Sequence, residues 1–191
     1  MNFLAHIFLS CRDEELMIGN FMADFLNKRE ASLVDARFHQ GIALHRDIDT
    51  FTDQHEIVKQ GIRRLYPRHR KYAPVIIDIF YDYFLIQNWD QFSEKDFNSF
   101  RLDTYQILRK YFPLIPDKIS NSVERWIQGD WLASYGNYEG IAFTLDKMRQ
   151  RLSRPEFLNH SIDSLRDFHS EMNEEFVNFF PEIIDLADCH C

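Results

Sequence analysis

Residues 74–86, which decide the fold class of this chain, read Pro74-Val75-Ile76-Ile77-Asp78-Ile79-Phe80-Tyr81-Asp82-Tyr83-Phe84-Leu85-Ile86. As an α-helix this segment is hydrophobic on almost every face, and helices of that kind are usually buried. Pro74 is tolerated because it lies in the first turn. The run is too short to span a bilayer, and two aspartates interrupt it. We therefore expect a helix that is buried inside a folded domain.

The composition of the whole chain favours an all-α protein. Its 191 residues match the usual size of one domain. Hydrophobic residues make up 45% of the chain, and 18 of them are Phe, so a large and partly aromatic core is expected. Gly and Pro number only six each, and no clear run of alternating strand pattern is present. We predict a single compact multi-helix domain over residues 1–191.

Helical periodicity and helix-ending residues predict the order of the elements. A polar loop is expected at Lys28–Leu33, a helix stop at Tyr66-Pro67, and a capping box that opens a helix at Ser93. Gly41 lies inside a predicted helix at a cost of about 1 kcal/mol relative to Ala, so we expect another backbone to pack closely there. The predicted helices are Asn2–Leu9, Arg12–Leu26, Val34–Phe51, Glu56–Leu65, a helix from Tyr72 onward, Ser93–Phe112, Asp117–Tyr135, Tyr138–Leu152 and His160–Leu186.

Pairs of polar side chains, spaced four residues apart, interrupt the apolar segments of the first 82 residues. On an α-helix, residues i and i+4 lie on one face, so each pair forms a short polar stack. Oxygen and imidazole groups that converge from several helices suit Mn²⁺, Mg²⁺ or Fe²⁺, and the thiolates of a structural zinc site are missing from the pairs. The pairs are Asn2/His6, Asn20/Asp24, His45/Asp49 and Asp78/Asp82.

The Asp78/Asp82 pair is the hardest to explain without a cation. Two carboxylates on one stripe of a buried helix repel each other, and a buried carboxylate must be paired, protonated or bound to a metal. The structural alternative is that this stripe faces solvent or meets Arg37, Arg46 or Arg63.

The other pairs have structural alternatives as well. The His45/Asp49 pair has the most specific sequence context, but it also fits an ordinary helix with an internal hydrogen bond. The Asn2/His6 pair fits the solvent-facing side of a surface helix, and it is the pair that we would remove first from a metal site.

Charge limits the classes of partner. The formal net charge of −8 argues against broad binding to nucleic acid or to anionic membranes. Residues 63–71 nevertheless contain a basic cluster with no acid among them, and such a cluster suits an acidic or phosphate-bearing partner. The alternative is a solvated loop between helices. The basic cluster consists of Arg63, Arg64, Arg68, Arg70 and Lys71.

The cysteines and the start of the chain favour a cytoplasmic location. Cys11, Cys189 and Cys191 are odd in number, and their spacing fits no zinc or redox template. We therefore expect an intracellular chain without disulfides. The apolar start up to Cys11 is short, is interrupted by His6, and lacks the basic residues that precede a signal-peptide core.

Several of these segments together are similar to a known family. They are Met1-Asn2-Phe3-Leu4-Ala5-His6, Gly19-Asn20-Phe21-Met22-Ala23-Asp24-Phe25, Gly41-Ile42-Ala43-Leu44-His45-Arg46-Asp47-Ile48-Asp49-Thr50-Phe51-Thr52-Asp53, and Ala73-Pro74 followed by Asp78 and Tyr81-Asp82-Tyr83-Phe84. In order and spacing they resemble the acyl carrier protein phosphodiesterases. The resemblance implies an all-α fold distantly like the HD-domain metal phosphohydrolases. Arg46 follows His45 where the wider HD pattern has an adjacent Asp.

The resemblance also implies a reaction, namely hydrolysis of the phosphodiester that joins 4′-phosphopantetheine to a serine of holo acyl carrier protein. It implies a divalent metal, typically Mn²⁺, that activates water and neutralises phosphate charge. The expected ligands are Asp24, His45 and Asp78, with His6 as a weaker candidate, and the expected catalytic residues are Asp49, Asp82 and Arg46. The basic cluster would dock the acidic carrier protein. The alternatives are a metal phosphohydrolase of nucleotides or other small phosphoesters, and a non-catalytic helical binding protein.

Overall fold

The computed structural model describes residues 1–11 and 13–190, and in this part of the chain it contains helices and no strand. This confirms the predicted all-α class. The α-helices are α1 (Phe3–Phe8), α2 (Glu14–Met22), α3 (Lys28–Ala31), α4 (His39–Gln54), α5 (Glu56–His69), α6 (Ala73–Gln87), α7 (Trp89–Phe92), α8 (Phe97–Tyr111), α9 (Asp117–Gln128), α10 (Trp131–Ser134), α11 (Tyr138–Arg149), α12 (Ser161–Asp167) and α13 (His169–Asp188). Short 3-10 turns cover Ala23–Phe25, Ala36–Phe38, Arg70–Tyr72, Phe112–Leu114 and Pro155–Leu158.

Helix α6 is buried, as its sequence predicts. Ile76, Ile77, Phe80 and Phe84 are each fully buried. The helix contacts α1, α5, α11 and α13, so it has protein neighbours on several sides. Each large apolar side chain buried in this way stabilises the fold by roughly 1.5–3 kcal/mol. The buried apolar residues of the described chain form one continuous core that runs from Met1 to Ala187.

A glycine–glycine crossing joins α2 to α4. A Cβ built on Gly41 would lie 2.2 Å from the carbonyl oxygen of Leu16 and 2.8 Å from Cα of Gly19. A Cβ built on Gly19 would lie 2.2 Å from the carbonyl oxygen of Phe38. The close approach of a second backbone expected at Gly41 is therefore confirmed. The crossing brings the polar face of α4 against the end of α2.

Two of the expected helix boundaries are wrong, and local chemistry explains both. The polar segment after Leu26 forms α3 rather than a loop, because Asn27 and Glu30 make a reciprocal capping box. Helix α5 continues through Pro67 to His69. Pro67 is exposed, so water can bond to the carbonyl that its missing N–H leaves free.

Other expected helices are shorter than their periodicity suggested. Helix α8 begins after Asp96, whose side chain accepts from the backbone of Ser99, and not at Ser93. The expected helix over Asp117–Tyr135 is divided at Asp130, which has a positive φ of 52°. The last expected helix is divided at Phe168 into α12 and α13. The expected start near Arg12 lies outside the described residues.

No helix in the described ranges is long and apolar enough to cross a membrane.

Cys11 takes part in a disulfide, so the prediction of a chain without disulfides is wrong at that residue. Cys189 is exposed and carries a free thiol.

Candidate active site

Helix α1 is held by a carboxylate from α6. Asp82 is fully buried, and its Oδ2 accepts from Asn2 Nδ2 at 2.9 Å and from the backbone N–H of Leu4 at 3.0 Å. Its Oδ1 accepts from the backbone N–H of Ala5 at 3.0 Å. Burial raises the pKa of Asp82 to about 7, although these donors oppose the shift. A six-residue helix is marginal alone, so this cap from another helix fixes where α1 lies.

His6 projects from α1 into the centre of the site. Its Nδ1 lies 2.8 Å from Asn20 Oδ1, and its ring stacks on the ring of His45 with centroids 4.0 Å apart. The residue is fully buried. Burial lowers the pKa of His6 to about 4, so the imidazole is neutral near pH 7. A neutral imidazole is the form that binds metals.

Asp49 bridges the two histidines. Its Oδ1 lies 3.2 Å from His6 Nε2, and its Oδ2 lies 3.2 Å from His45 Nε2, one turn earlier on α4. Burial alone would raise the pKa of Asp49, but the contact with His45 and the positive charge of the Met1 amine hold it well below the usual range. His45 Nε2 also lies 3.7 Å from Asp24 Oδ1. Burial raises the pKa of Asp24, although its side chain keeps 36% of its surface exposed.

An ammonium group lies at the other end of the site. The amino group of Met1 is 3.2 Å from Asp78 Oδ1 and 3.4 Å from Asp49 Oδ1. Burial would lower the pKa of this amine, but Asp78 and Asp49 raise it to about 10. Burial raises the pKa of Asp78, and the amine opposes that shift. The five side chains of His6, Asp24, His45, Asp49 and Asp78 are called the polar cluster below.

The polar cluster fits a divalent metal. His6, His45 and Asp49 each offer a ligand atom, and these atoms lie within 4.8 Å of one another. His6 Nε2 and His45 Nδ1 are buried and have no hydrogen-bond partner among the described residues; the 3.2 Å contact of His6 Nε2 with Asp49 is close but not aligned as a hydrogen bond. Two imidazoles and a carboxylate are ligands that Mn²⁺, Fe²⁺ and Zn²⁺ accept.

The structure brings the side chains of the predicted ligands close together, but their positions in the site differ from those expected from the sequence. His6, the weakest candidate in the sequence, is central and buried instead of facing solvent, because Asp82 draws α1 against α6. Asp78 meets the amino group of Met1, and none of the three arginines considered as its partner. Arg46 is exposed on α4. No pattern in the sequence indicated the role of the Met1 amine, and the pairing of Asn20 with Asp24 did not reveal that Asn20 contacts His6.

The basic cluster lies at the end of α5 and in the turn before α6. Arg64 is occupied by a two-bond ion pair with Glu175, at 2.6 and 2.7 Å, and both side chains are largely buried. Arg68 pairs with Asp167 at 2.7 Å but stays half-exposed. Arg63 is 65% exposed, with Glu56 3.8 Å away. Arg70 and Lys71 are exposed, and Lys71 donates to Ser153.

Comparison with known proteins points to one family. The family model described as acyl carrier protein phosphodiesterase matches residues 1–183. A protein of that name from Klebsiella pneumoniae subsp. pneumoniae is 31% identical over 98% of both chains. Proteins of the same name from Photorhabdus laumondii and Yersinia enterocolitica are each 29% identical, over 98% of this chain and 96% and 97% of theirs. No solved structure matches the chain, so the likeness to HD-domain enzymes stays a prediction.

Proposed function

The chain belongs to the acyl carrier protein phosphodiesterase family, and on that premise we propose that it hydrolyses the phosphodiester between 4′-phosphopantetheine and a serine of holo acyl carrier protein. The products are apo acyl carrier protein and free 4′-phosphopantetheine. The observation that carries this proposal is the convergence of His6, His45 and Asp49 from two helices, with buried imidazole nitrogens that have no hydrogen-bond partner in the part of the chain that the structure describes. We treat residues 1–191 as one phosphodiesterase domain.

We assign the metal to His6, His45 and Asp49, with Asp24 and Asp78 beside them. Asp49 thereby moves from the expected catalytic residues to the ligands, because both of its oxygens face imidazole nitrogens. A bound divalent ion, which we propose to be Mn²⁺, with Mg²⁺ or Fe²⁺ suited to the same oxygen ligands, would supply positive charge against the phosphate and lower the pKa of a water molecule.

The remaining side chains position the substrate and move a proton. In the reaction a water oxygen bonds to phosphorus, the bond from phosphorus to the serine oxygen breaks, and that oxygen takes up a proton. Asp24 suits the role of proton donor, because it is partly exposed beside His45 and burial raises its pKa. Arg46 is exposed next to His45 on α4 and suits contact with a phosphate oxygen. Asp82 holds α1 with both oxygens, so we assign it a positioning role.

The basic cluster is our candidate docking surface for the carrier protein. The 3-10 turn Arg70–Tyr72, which contains Arg70 and Lys71, comes directly before α6. Asp78 lies five residues after the start of α6, or about 8 Å along the helix axis from this turn. An acidic carrier protein at this turn would therefore lie within reach of the polar cluster. Arg63, Arg70 and Lys71 are the exposed charges available to it, whereas Arg64 is held by Glu175. The local charge matters at contact distance, because salt screens the net charge of −8 over about 8–10 Å. We propose a cytoplasmic location, where such a carrier protein would be met.

The test is incubation of holo acyl carrier protein with the purified protein and Mn²⁺, followed by mass spectrometry of the carrier protein. The expected result is conversion to the apo mass and release of 4′-phosphopantetheine, and a chelator should stop both. A parallel panel of nucleotides and small phosphodiesters serves as the comparison. Turnover of the panel with an unchanged carrier protein would contradict the proposal.

A further inference from the structure

Asn20 lies beside the polar cluster, and neither the metal ligands nor the reaction described above uses it. It lies at the end of α2, next to the Gly19–Gly41 crossing, and is fully buried. Its Nδ2 donates to the backbone oxygen of His6 at 2.8 Å and to Ser10 Oγ at 3.0 Å. Its Oδ1 lies 2.8 Å from His6 Nδ1. The amide therefore contacts both the backbone and the ring of His6.

The surrounding acceptors fix which way this amide points. The backbone oxygen of His6 can only accept, so the atom 2.8 Å from it must be the NH₂ group of Asn20. Ser10 Oγ donates its own hydrogen to the same oxygen at 2.8 Å, so it can only accept from Asn20. The reversed amide would place an oxygen against both of these atoms. The oxygen of Asn20 therefore faces the His6 ring.

This orientation determines where the hydrogen of the His6 ring lies. Because Asn20 Oδ1 only accepts, His6 Nδ1 must donate to it, and a neutral imidazole carries one N–H. His6 Nε2 is then left with a lone pair. That nitrogen faces Asp49 Oδ1 at 3.2 Å and has no hydrogen-bond partner among the described residues. A lone pair on a buried nitrogen thus faces an oxygen of Asp49, whose side chain is 43% exposed.

A shared cation resolves this contact. At ligand-to-metal distances of about 2.1 Å, neighbouring ligands of one ion are roughly 3.0–3.4 Å apart. The 3.2 Å between His6 Nε2 and Asp49 Oδ1 falls in that range. Groups that bond to the second nitrogen of a metal-binding histidine commonly set its tautomer and orientation, and their loss typically weakens metal binding 10–100-fold.

We propose that Asn20 is a positioning residue, which places the hydrogen of His6 on Nδ1 and so directs the lone pair of Nε2 towards Asp49 and a shared metal. The metal part of this inference rests on the proposed function, whereas the tautomer does not. The tautomer can therefore be measured in the metal-free protein, without any substrate.

The experiment is ¹⁵N NMR of the histidine rings in the metal-free protein, with the His6 signals assigned by their loss in His6→Phe. Two variants are compared with the wild type. Asn20→Leu keeps a side chain of similar size and removes the acceptor at Nδ1. Ser10→Ala is the matched control, because it removes two hydrogen bonds of the same network, those of Ser10 Oγ with the backbone oxygen of His6 and with Asn20 Nδ2, and leaves the bond between Asn20 and the ring in place.

The wild type and Ser10→Ala are expected to carry the hydrogen on Nδ1, and Asn20→Leu is expected to shift it towards Nε2, which can then donate to Asp49. In calorimetric titration Asn20→Leu should bind Mn²⁺ about 10–100-fold more weakly, and Ser10→Ala nearly as well as wild type. A wild-type ring protonated at Nε2 would overturn the proposal even if Asn20→Leu fails to fold. An Asn20→Leu ring that keeps its hydrogen on Nδ1 would do the same.

The two failures are distinguishable. A protein that shows the expected tautomers and Mn²⁺ affinities but leaves holo acyl carrier protein intact would contradict the proposed function alone. A protein that converts the carrier protein while its His6 carries the hydrogen on Nε2 would contradict the role of Asn20 alone.

Discussion

Replacement of Asp82 by asparagine tests how α1, and with it His6, is held in place. The carboxylate accepts three N–H groups, two at Oδ2 and one at Oδ1. A carboxamide has one acceptor oxygen, so its best orientation keeps the bonds to Asn2 and Leu4 and turns NH₂ towards the N–H of Ala5. That buried N–H loses its partner, which costs about 1–3 kcal/mol. We expect Asp82→Asn to lower the free energy of unfolding by this amount.

The pH dependence of stability gives a second test of Asp82, because the direction of the change with pH is predicted. Burial raises the pKa of Asp82 to about 7, whereas the ordinary value is 3.8. Between these values the folded protein binds the proton more firmly than the unfolded chain does. The contribution of Asp82 to stability is therefore greatest at low pH and falls as the pH rises to about 7. The stability difference between wild type and Asp82→Asn should therefore shift in favour of the variant as the pH rises over this window, because only the wild type has this titrating group.

The assay is urea unfolding of both proteins from pH 4.5 to pH 8, with the denaturant slope checked for equality. Asp90→Asn is the control, because Asp90 is exposed on α7, and it should change stability by less than about 0.5 kcal/mol. Equal stability of Asp82→Asn and wild type at every pH would refute the anchoring role. A wild type that gains stability relative to Asp82→Asn as the pH rises would refute the raised pKa.

Two further substitutions test packing and charge away from the reaction. Gly41→Ala should destabilise the protein by about 3 kcal/mol or more in thermal and urea unfolding, because its Cβ would lie 2.2 Å from a backbone oxygen. The control is Gly129→Ala, which should be nearly neutral, because the backbone oxygens nearest to a Cβ at that position are 3.6 Å away. Stable Gly41→Ala would show that α2 and α4 do not cross as described. Arg64→Ala should lower the free energy of unfolding by about 3–5 kcal/mol, because it leaves the largely buried Glu175 unpaired. Arg63→Ala, at an exposed position, should lower it by less than about 1 kcal/mol. Equal losses for the two arginines would contradict the buried pair.

The sequence predicted the fold where the signal was local. The apolar run of α6 predicted a buried helix, and Gly41 predicted the close crossing of α4 with α2. The sequence-based prediction failed where tertiary contacts or single residues determine the ends of a helix. Asp130 and Phe168 divide helices whose periodicity continues, and the exposed position of Pro67 lets α5 run past it.

The site shows the same division. Spacing of four residues found His45 with Asp49, because that pair lies on one helix. The burial of His6 depends on Asp82, which is 76 residues away in sequence and caps α1 from α6. The contact of Asp78 with the Met1 amine likewise joins distant parts of the chain. Such contacts leave no periodic trace in the sequence.

We propose that the polar cluster around Asp49 carries out a metal-dependent hydrolysis of holo acyl carrier protein. The most direct measurement is mass spectrometry of the carrier protein after timed incubation with wild type or Asp49→Asn, each with added Mn²⁺ and with chelator. We predict conversion to the apo form only by wild type with Mn²⁺, while Asp49→Asn keeps its helical circular dichroism spectrum and loses Mn²⁺ binding. Conversion by folded Asp49→Asn at the wild-type rate, or by wild type in chelator, would contradict the account.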